Sequence, residues 1–238
     1  MPFKGSRRIF MISCRLAWRR WAAAAFMVLA LSPAPLAAEP LRIVAFGDSL
    51  MAAYDLAKEE GFPARLEEAL RAEGHDVEIV DAGVSGDTTS GGLARLDWSV
   101  PEGIDGVILE LGANDALRGI DPAATRTNLE AIIARLKERD IGVLLAGMLA
   151  PPNMGAAYES DFNAIYPQLA EQSDLMLYPF FLDGVITHPD RLLADGMHPN
   201  PAGVAEMVRR FLPTASAFVE KLEAKPAARE ADADETAG

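Results

Sequence analysis

Apolar and polar positions alternate between two rhythms along most of the chain. Continuous apolar runs of strand length occupy 41–46 (Leu-Arg-Ile-Val-Ala-Phe), 77–80, 106–111 (Gly-Val-Ile-Leu-Glu-Leu) and 141–146, with a brief run at 175–177. Runs this short, ended by Gly47 and Gly112 and rich in β-branched residues, predict strands buried on both faces. Between them lie segments of helical period. Pro63 opens one with Leu66 and Leu70 on a single face, closed by Gly74. Another starts at Asp121-Pro122 and places Leu129, Ile132, Ile133 and Leu136 on one face. Residues 162–170 read as helical with a kink or restart at Pro167, and a last helix is expected from Pro201 to about Leu222, broken near Pro213. Strands alternating with helices of this length predict an α/β fold: one domain in three layers, α/β/α, around a five-stranded parallel sheet. No internal repeat is present, and the tail 223–238 has no apolar side chain larger than Ala or Pro, so disorder is expected there.

The first 38 residues follow a different logic. Six basic residues (Lys4, Arg7, Arg8, Arg15, Arg19, Arg20) and no acid precede or flank an apolar run over 21–31, and small residues with prolines lead to Ala38. That order is a secretory signal, with cleavage expected after Ala38. The apolar run is short for a membrane span, so no stable anchor is expected after cleavage, and the mature domain is assigned to 39–222 in a periplasmic or secreted location. Ser6-Arg7-Arg8-Ile9-Phe10 resembles a twin-arginine signal, while the further arginines suit the general export route equally.

Composition narrows the function. The 238 residues are half apolar, with a mean hydropathy of +0.09, as expected of a folded chain. The net charge is −13, and removing the six basic residues of the leader leaves 16 basic against 35 acidic residues, or −19. So acidic a surface repels phosphate backbones and anionic head groups, which argues against nucleic acid or a membrane surface as partner. Cys14, the one cysteine, lies in the leader, so the mature protein has no disulfide, thiol nucleophile or cysteine-ligated zinc.

In open parallel sheets, ligands bind beyond the carboxyl ends of the strands. Three polar segments stand at such positions: Gly47-Asp48-Ser49-Leu50, Gly83-Val84-Ser85-Gly86-Asp87 and Gly112-Ala113-Asn114-Asp115. A fourth, Asp195-Gly196-Met197-His198-Pro199-Asn200, precedes the last helix. A hydroxyl, an imidazole, a carboxylate and amide donors are what acyl transfer needs. Of the three histidines, His75 reads as surface and His188 as a loop residue near a cleft, which leaves His198 as the candidate base, with Asp195 three residues before it. The N–H groups of Ser49 and Gly86 and the Asn114 amide are candidate donors to a developing oxyanion. Each of these residues also has a plain reading as a turn or loop position.

Together, and in this order, the four segments resemble the blocks of the GDSL, or SGNH, hydrolases. Gly-Asp-Ser-Leu alone arises by chance in a chain this long with odds on the order of one in a hundred, and the ordered set is far rarer. Further similarity at 85–88, 92–96, 164–167 and 195–200 points to the bacterial periplasmic branch of arylesterases and acyl-CoA thioesterase/lysophospholipases. The resemblance spans about residues 41–215. It implies a flavodoxin-like fold, Ser49 as nucleophile, His198 as base and then acid, and Asp195 as its orienting partner. It also implies an oxyanion hole from Ser49, Gly86 and Asn114, and a site without metal or cofactor. Ala113 departs from the Gly common in that branch. The expected substrate is a small acyl ester or thioester and the expected form a monomer, with a carbohydrate O-acetyl esterase and a non-catalytic binding protein as alternatives. Two rival motifs are weaker: Gly-Val-Ser85-Gly-Asp nearly makes the G-x-S-x-G elbow, and Asp48 and Asp115 lack a histidine cluster that would make them metal ligands.

Overall fold

The computed structural model describes residues 39–237, with side chains as far as Lys225. The expected leader over 1–38 lies outside the described residues. Five strands, β1 (Leu41–Gly47), β2 (Val77–Gly83), β3 (Gly106–Glu110), β4 (Gly142–Ala146) and β5 (Met176–Tyr178), form one sheet in the order β2-β1-β3-β4-β5. Every pairing is parallel. The central strands are buried nearly throughout, which is why they read as unbroken apolar runs, whereas edge strand β2 alternates.

Helices α1 (Phe62–Ala72), α2 (Thr89–Ser99), α3 (Ala113–Leu117), α4 (Pro122–Glu138), α5 (Ala156–Asn163), α6 (Ile165–Ser173) and α7 (Pro201–Ala237) complete the layers, with α1 packed on α7 and α2 on α4. In α1, Phe62, Leu66 and Leu70 turn inward, and Phe62 meets Phe181 and Phe211 edge-on at 4.7 and 5.3 Å. In α4, the Asp121 carboxylate caps Ala123 N–H at 2.9 Å, Pro122 occupies the first turn, and Leu129, Ile132, Ile133 and Leu136 are buried as the period predicts.

Three helix assignments differ from expectation. The helical stretch around Pro167 breaks at Ala164, not at the proline: Pro167 lies in the first turn of α6, where its missing N–H costs no hydrogen bond. Helix α7 continues through Pro213, and its backbone stays helical to Ala237 across the segment expected to be disordered. That segment is rich in Ala and Glu, strong helix formers that propagate a helix already nucleated. Finally, α2 and α3 arise where no helix was expected.

The strand order puts β1 between β2 and β3, so the segments leaving the ends of these three strands converge at one place. This is the switch point of a 2-1-3-4-5 sheet, where neighbouring crossovers leave toward opposite faces and open a crevice.

Candidate active site

Each predicted site residue reaches that crevice by its own local device. Beyond β1 the chain turns at once, with Ala52 N–H on Asp48 C=O at 3.1 Å, and Ser49 sits in this turn, 9 % exposed. The turn demands Gly47, because a Cβ there would lie within 2.6 Å of Glu110 and Met51. Beyond β2, Gly86 adopts φ +79°, and its carbonyl accepts from Arg118 Nη2 at 2.7 Å. Beyond β3, Gly112 (φ +121°) turns the chain into α3, whose first turn carries Asn114. Asp115 next to it is fully buried and accepts from the backbone N–H and hydroxyl of Thr89 and the hydroxyl of Thr125, tying α3 to the start of α2.

The fourth segment is a closed loop. Leu193 N–H bonds His198 C=O at 2.8 Å and Asn200 N–H bonds Arg191 C=O at 3.0 Å, while Asn200 Oδ1 accepts from Gly203 N–H at the start of α7. Gly196 (φ +70°) reverses the chain inside the loop, so Asp195 Oδ1 accepts from Met197 N–H at 2.9 Å and His198 N–H at 3.0 Å. Its other oxygen, Oδ2, is 2.6 Å from His198 Nδ1, and His198 Nε2 is 2.9 Å from Ser49 Oγ. The two backbone N–H bonds and the imidazole contact hold the Asp195 carboxyl down at about 2.

Asn114 Nδ2 donates to Asp48 Oδ2 at 2.9 Å. Among the described residues, neither Ser49 N–H nor Gly86 N–H is given to a protein acceptor. A hydroxyl at hydrogen-bond distance from an imidazole, with amide N–H groups beside it, is the set of groups that acyl transfer requires. Together they open into a cleft of about 630 Å³ lined largely by apolar side chains, among them Leu117, Leu149, Phe180, Ile186 and Met197. The Pro151-Pro152 segment beyond β4 lines it as well.

The structure thus brings Ser49, Gly86, Asn114, Asp195 and His198 together. His188 is not part of the cleft lining, and His75 Nδ1 lies 3.3 Å from Glu223 at the surface. Ser85 lines the cleft, but among the described residues no imidazole bonds it. Three residues near the site escaped the sequence reading. Tyr54 stacks on the His198 ring, Arg95 ties together the segments that carry Ser49 and Gly86, and Glu110 lies buried beneath Asp48. Glu110 had a signal, as an acid in an otherwise apolar central strand, and Arg95 lies within the family-like stretch 92–96.

A parallel sheet with a Ser–His–Asp constellation at its switch point defines a class, the serine hydrolases built on a flavodoxin-like core. Within that class the chain belongs to the GDSL-like lipase/acylhydrolase family, whose pattern it matches over residues 45–205, and it is a carboxylic ester hydrolase. It is 42 % identical over 189 residues to an arylesterase of Vibrio mimicus, covering 76 % of this chain and 92 % of that protein. It is 36 % identical over 182 residues to thioesterase 1/protease 1/lysophospholipase L1 of Escherichia coli K12, covering 76 % and 85 %. Among solved structures, the SGNH-hydrolase esterase AlinE4 superposes with a TM-score of 0.64 at 48 % identity, over 75 % of this chain and 96 % of that one. TesA superposes with a TM-score of 0.71 at 38 % identity, over 74 % and 99 %.

Proposed function

We propose that this enzyme cleaves carboxylic esters and thioesters through an acyl-enzyme on Ser49, without a cofactor. One observation carries the reading: His198 Nε2 is 2.9 Å from Ser49 Oγ while Asp195 Oδ2 is 2.6 Å from Nδ1. His198 takes the hydroxyl proton as Ser49 attacks the acyl carbonyl, and Asp195 holds the tautomer with Nε2 unprotonated and balances the imidazolium that forms. The tetrahedral oxygen is held by Ser49 N–H, Gly86 N–H and the Asn114 N–H not given to Asp48. As the intermediate collapses, His198 returns the proton to the leaving oxygen or sulfur. Water, activated by the same imidazole, then releases the acid and restores Ser49.

The apolar cleft wall suits acyl chains and aryl groups, which favours aryl esters, acyl thioesters and lysophospholipids, the substrate types in the names of the relatives, over hydroxyl-rich carbohydrate esters. All five site residues come from one chain, which supports action as a monomer. The signal-like leader supports export to the periplasm, and among the described residues no helix is long and apolar enough to cross a membrane.

Ser49→Ala tests the chemistry. Hydrolysis of p-nitrophenyl butyrate should fall to background with the melting temperature nearly unchanged; wild-type activity in a folded variant would overturn the assignment. A p-nitrophenyl series from acetate to palmitate, run beside acyl-CoA and lysophospholipid, ranks the substrate types.

A further inference from the structure

Glu110 is a buried acid that the proposed reaction does not use. It ends β3, an otherwise apolar strand, and is 0 % exposed. Among the described residues no Lys, Arg or His pairs with it, and its Oε1 is buried with no hydrogen-bond partner. A lone buried carboxyl costs the fold stability that a leucine of similar volume would not. Its placement is specific: Oε2 accepts from Asp48 N–H at 3.2 Å, and the carboxyl reaches under the turn because residue 47 has no Cβ to fill that space.

Asp48 in turn uses both of its oxygens. Oδ1 accepts from Leu50 N–H at 3.0 Å and Oδ2 from Asn114 Nδ2 at 2.9 Å. A carboxylate only accepts, so the Asn114 amide must present its NH₂ to Asp48; flipped by 180°, it would set its own oxygen against that carboxylate. With the flip fixed, one of the two amide protons is spent on Asp48 and the other is left for a substrate oxygen.

We infer that Glu110 is a positioning residue of the acyl-transfer site: through Asp48 it locks the Asn114 amide in the one orientation that offers an N–H to the oxyanion. The inference rests on the proposed role of Asn114 as a donor. The proton balance supports it. Burial pushes the Glu110 carboxyl well above the carboxylate range, with the adjacent Asp48 carboxyl adding to the rise. Burial also raises Asp48, opposed chiefly by the N–H bonds from Leu50 and Asn114. Two adjacent buried carboxyls do not both ionise, and the one receiving two N–H donors is the better anion. Glu110 is then the more readily protonated of the two, holding Asp48 by its backbone N–H while the Asp48 carboxylate accepts from Leu50 and Asn114.

A double-mutant cycle between Glu110 and Asn114 tests this with p-nitrophenyl butyrate. Asn114→Ala alone should lower kcat by ~10²–10³. Glu110→Leu should lower kcat by roughly tenfold or more with KM little changed, and Glu110→Gln, neutral and of the same shape, should recover most of that loss. In the Asn114→Ala background the Glu110→Leu loss should shrink to about twofold, because the amide it positions is gone. Losses that multiply independently would overturn the inference, as would a Glu110→Gln variant as impaired as Glu110→Leu. Should Glu110→Leu fail to fold, Asp48→Asn replaces it in the cycle, and independent losses there break the relay at its middle link. Activity surviving Ser49→Ala would instead undo the proposed chemistry, so the two failures are distinguishable.

Discussion

The phenol ring of Tyr54 lies stacked on the imidazole of His198, with ring centroids 4.2 Å apart and an interplanar angle of 26°. The residues on either side, Ala53 and Asp55, both adopt left-handed backbone, at φ 51° and 55°. Two consecutive-but-one non-glycine residues in that region store strain, of the kind that functional geometry retains. In the proposed reaction the imidazole takes up the hydroxyl proton as Ser49 attacks, so an aromatic face against it would act mainly in the transition state.

Replacing Tyr54 by Ala should therefore lower kcat more than it raises KM. A cation–π contact of ~0.5–2 kcal/mol corresponds to about 2- to 30-fold in kcat. Tyr54→Phe keeps the ring and should stay near wild type. Steady-state kinetics of the two variants decide it: an Ala variant within twofold of wild type in kcat would leave the stack without a part in the reaction.

Arg95 should govern stability and site geometry together. Its guanidinium donates to Gly47 C=O and Ala82 C=O, each at 2.8 Å, and to Asp87 at 2.6 Å, and it lies 4.1 Å from the Phe46 ring centroid. These bonds join the end of β1, which leads to Ser49, with the end of β2, which leads to Gly86. The ion pair with Asp87 is buried, with the two side chains 8 % and 10 % exposed. Arg95→Met leaves the Asp87 carboxylate without its cation and takes a donor from the Gly47 and Ala82 carbonyls, a loss of ~3–5 kcal/mol. In a domain of this size that is a fall of roughly 6–20 °C in melting temperature, measurable by thermal unfolding. A shift of only a degree or two would mean that water substitutes for the guanidinium.

Much of this was legible in the sequence because the sheet speaks in apolar runs. Strands β1, β3 and β4 could be read almost to the residue, since a strand buried on both faces needs no partner to announce itself. The five candidate site residues were legible because each follows a strand end or precedes the last helix. Helix α2 was not: its first turns carry Gly91 and Gly92, and what buries its inner face is Thr89, Gly92, Arg95 and Leu96, a set with little apolar period. Helix α3 is too short for periodicity to show. The residues that hold the site, Tyr54, Arg95 and Glu110, act through neighbours 8 to 144 positions away, and local sequence does not record such partners. The proline at 167 misled for a related reason, its effect depending on where the helix begins.

The pH dependence of stability should carry the signature of Asp195. Its carboxyl is held at about 2 in the folded chain, against ~3.9 for an unperturbed Asp. A folded value below the unfolded one means the folded state binds the proton less readily, so the charged group stabilises the fold above the unfolded value. That contribution is fully present above about pH 4 and is lost as the pH falls toward 2. Because the residue is exposed, the amount is small, but its pH window is definite. Asp195→Asn keeps the side-chain oxygen that accepts from Met197 and His198 and removes the charge. The difference in melting temperature between wild type and Asp195→Asn should not narrow between pH 7 and about 5, and should close between about pH 4 and 2. A gap that already closes between pH 7 and 5 would show that the loop is held by something other than the Asp195 charge.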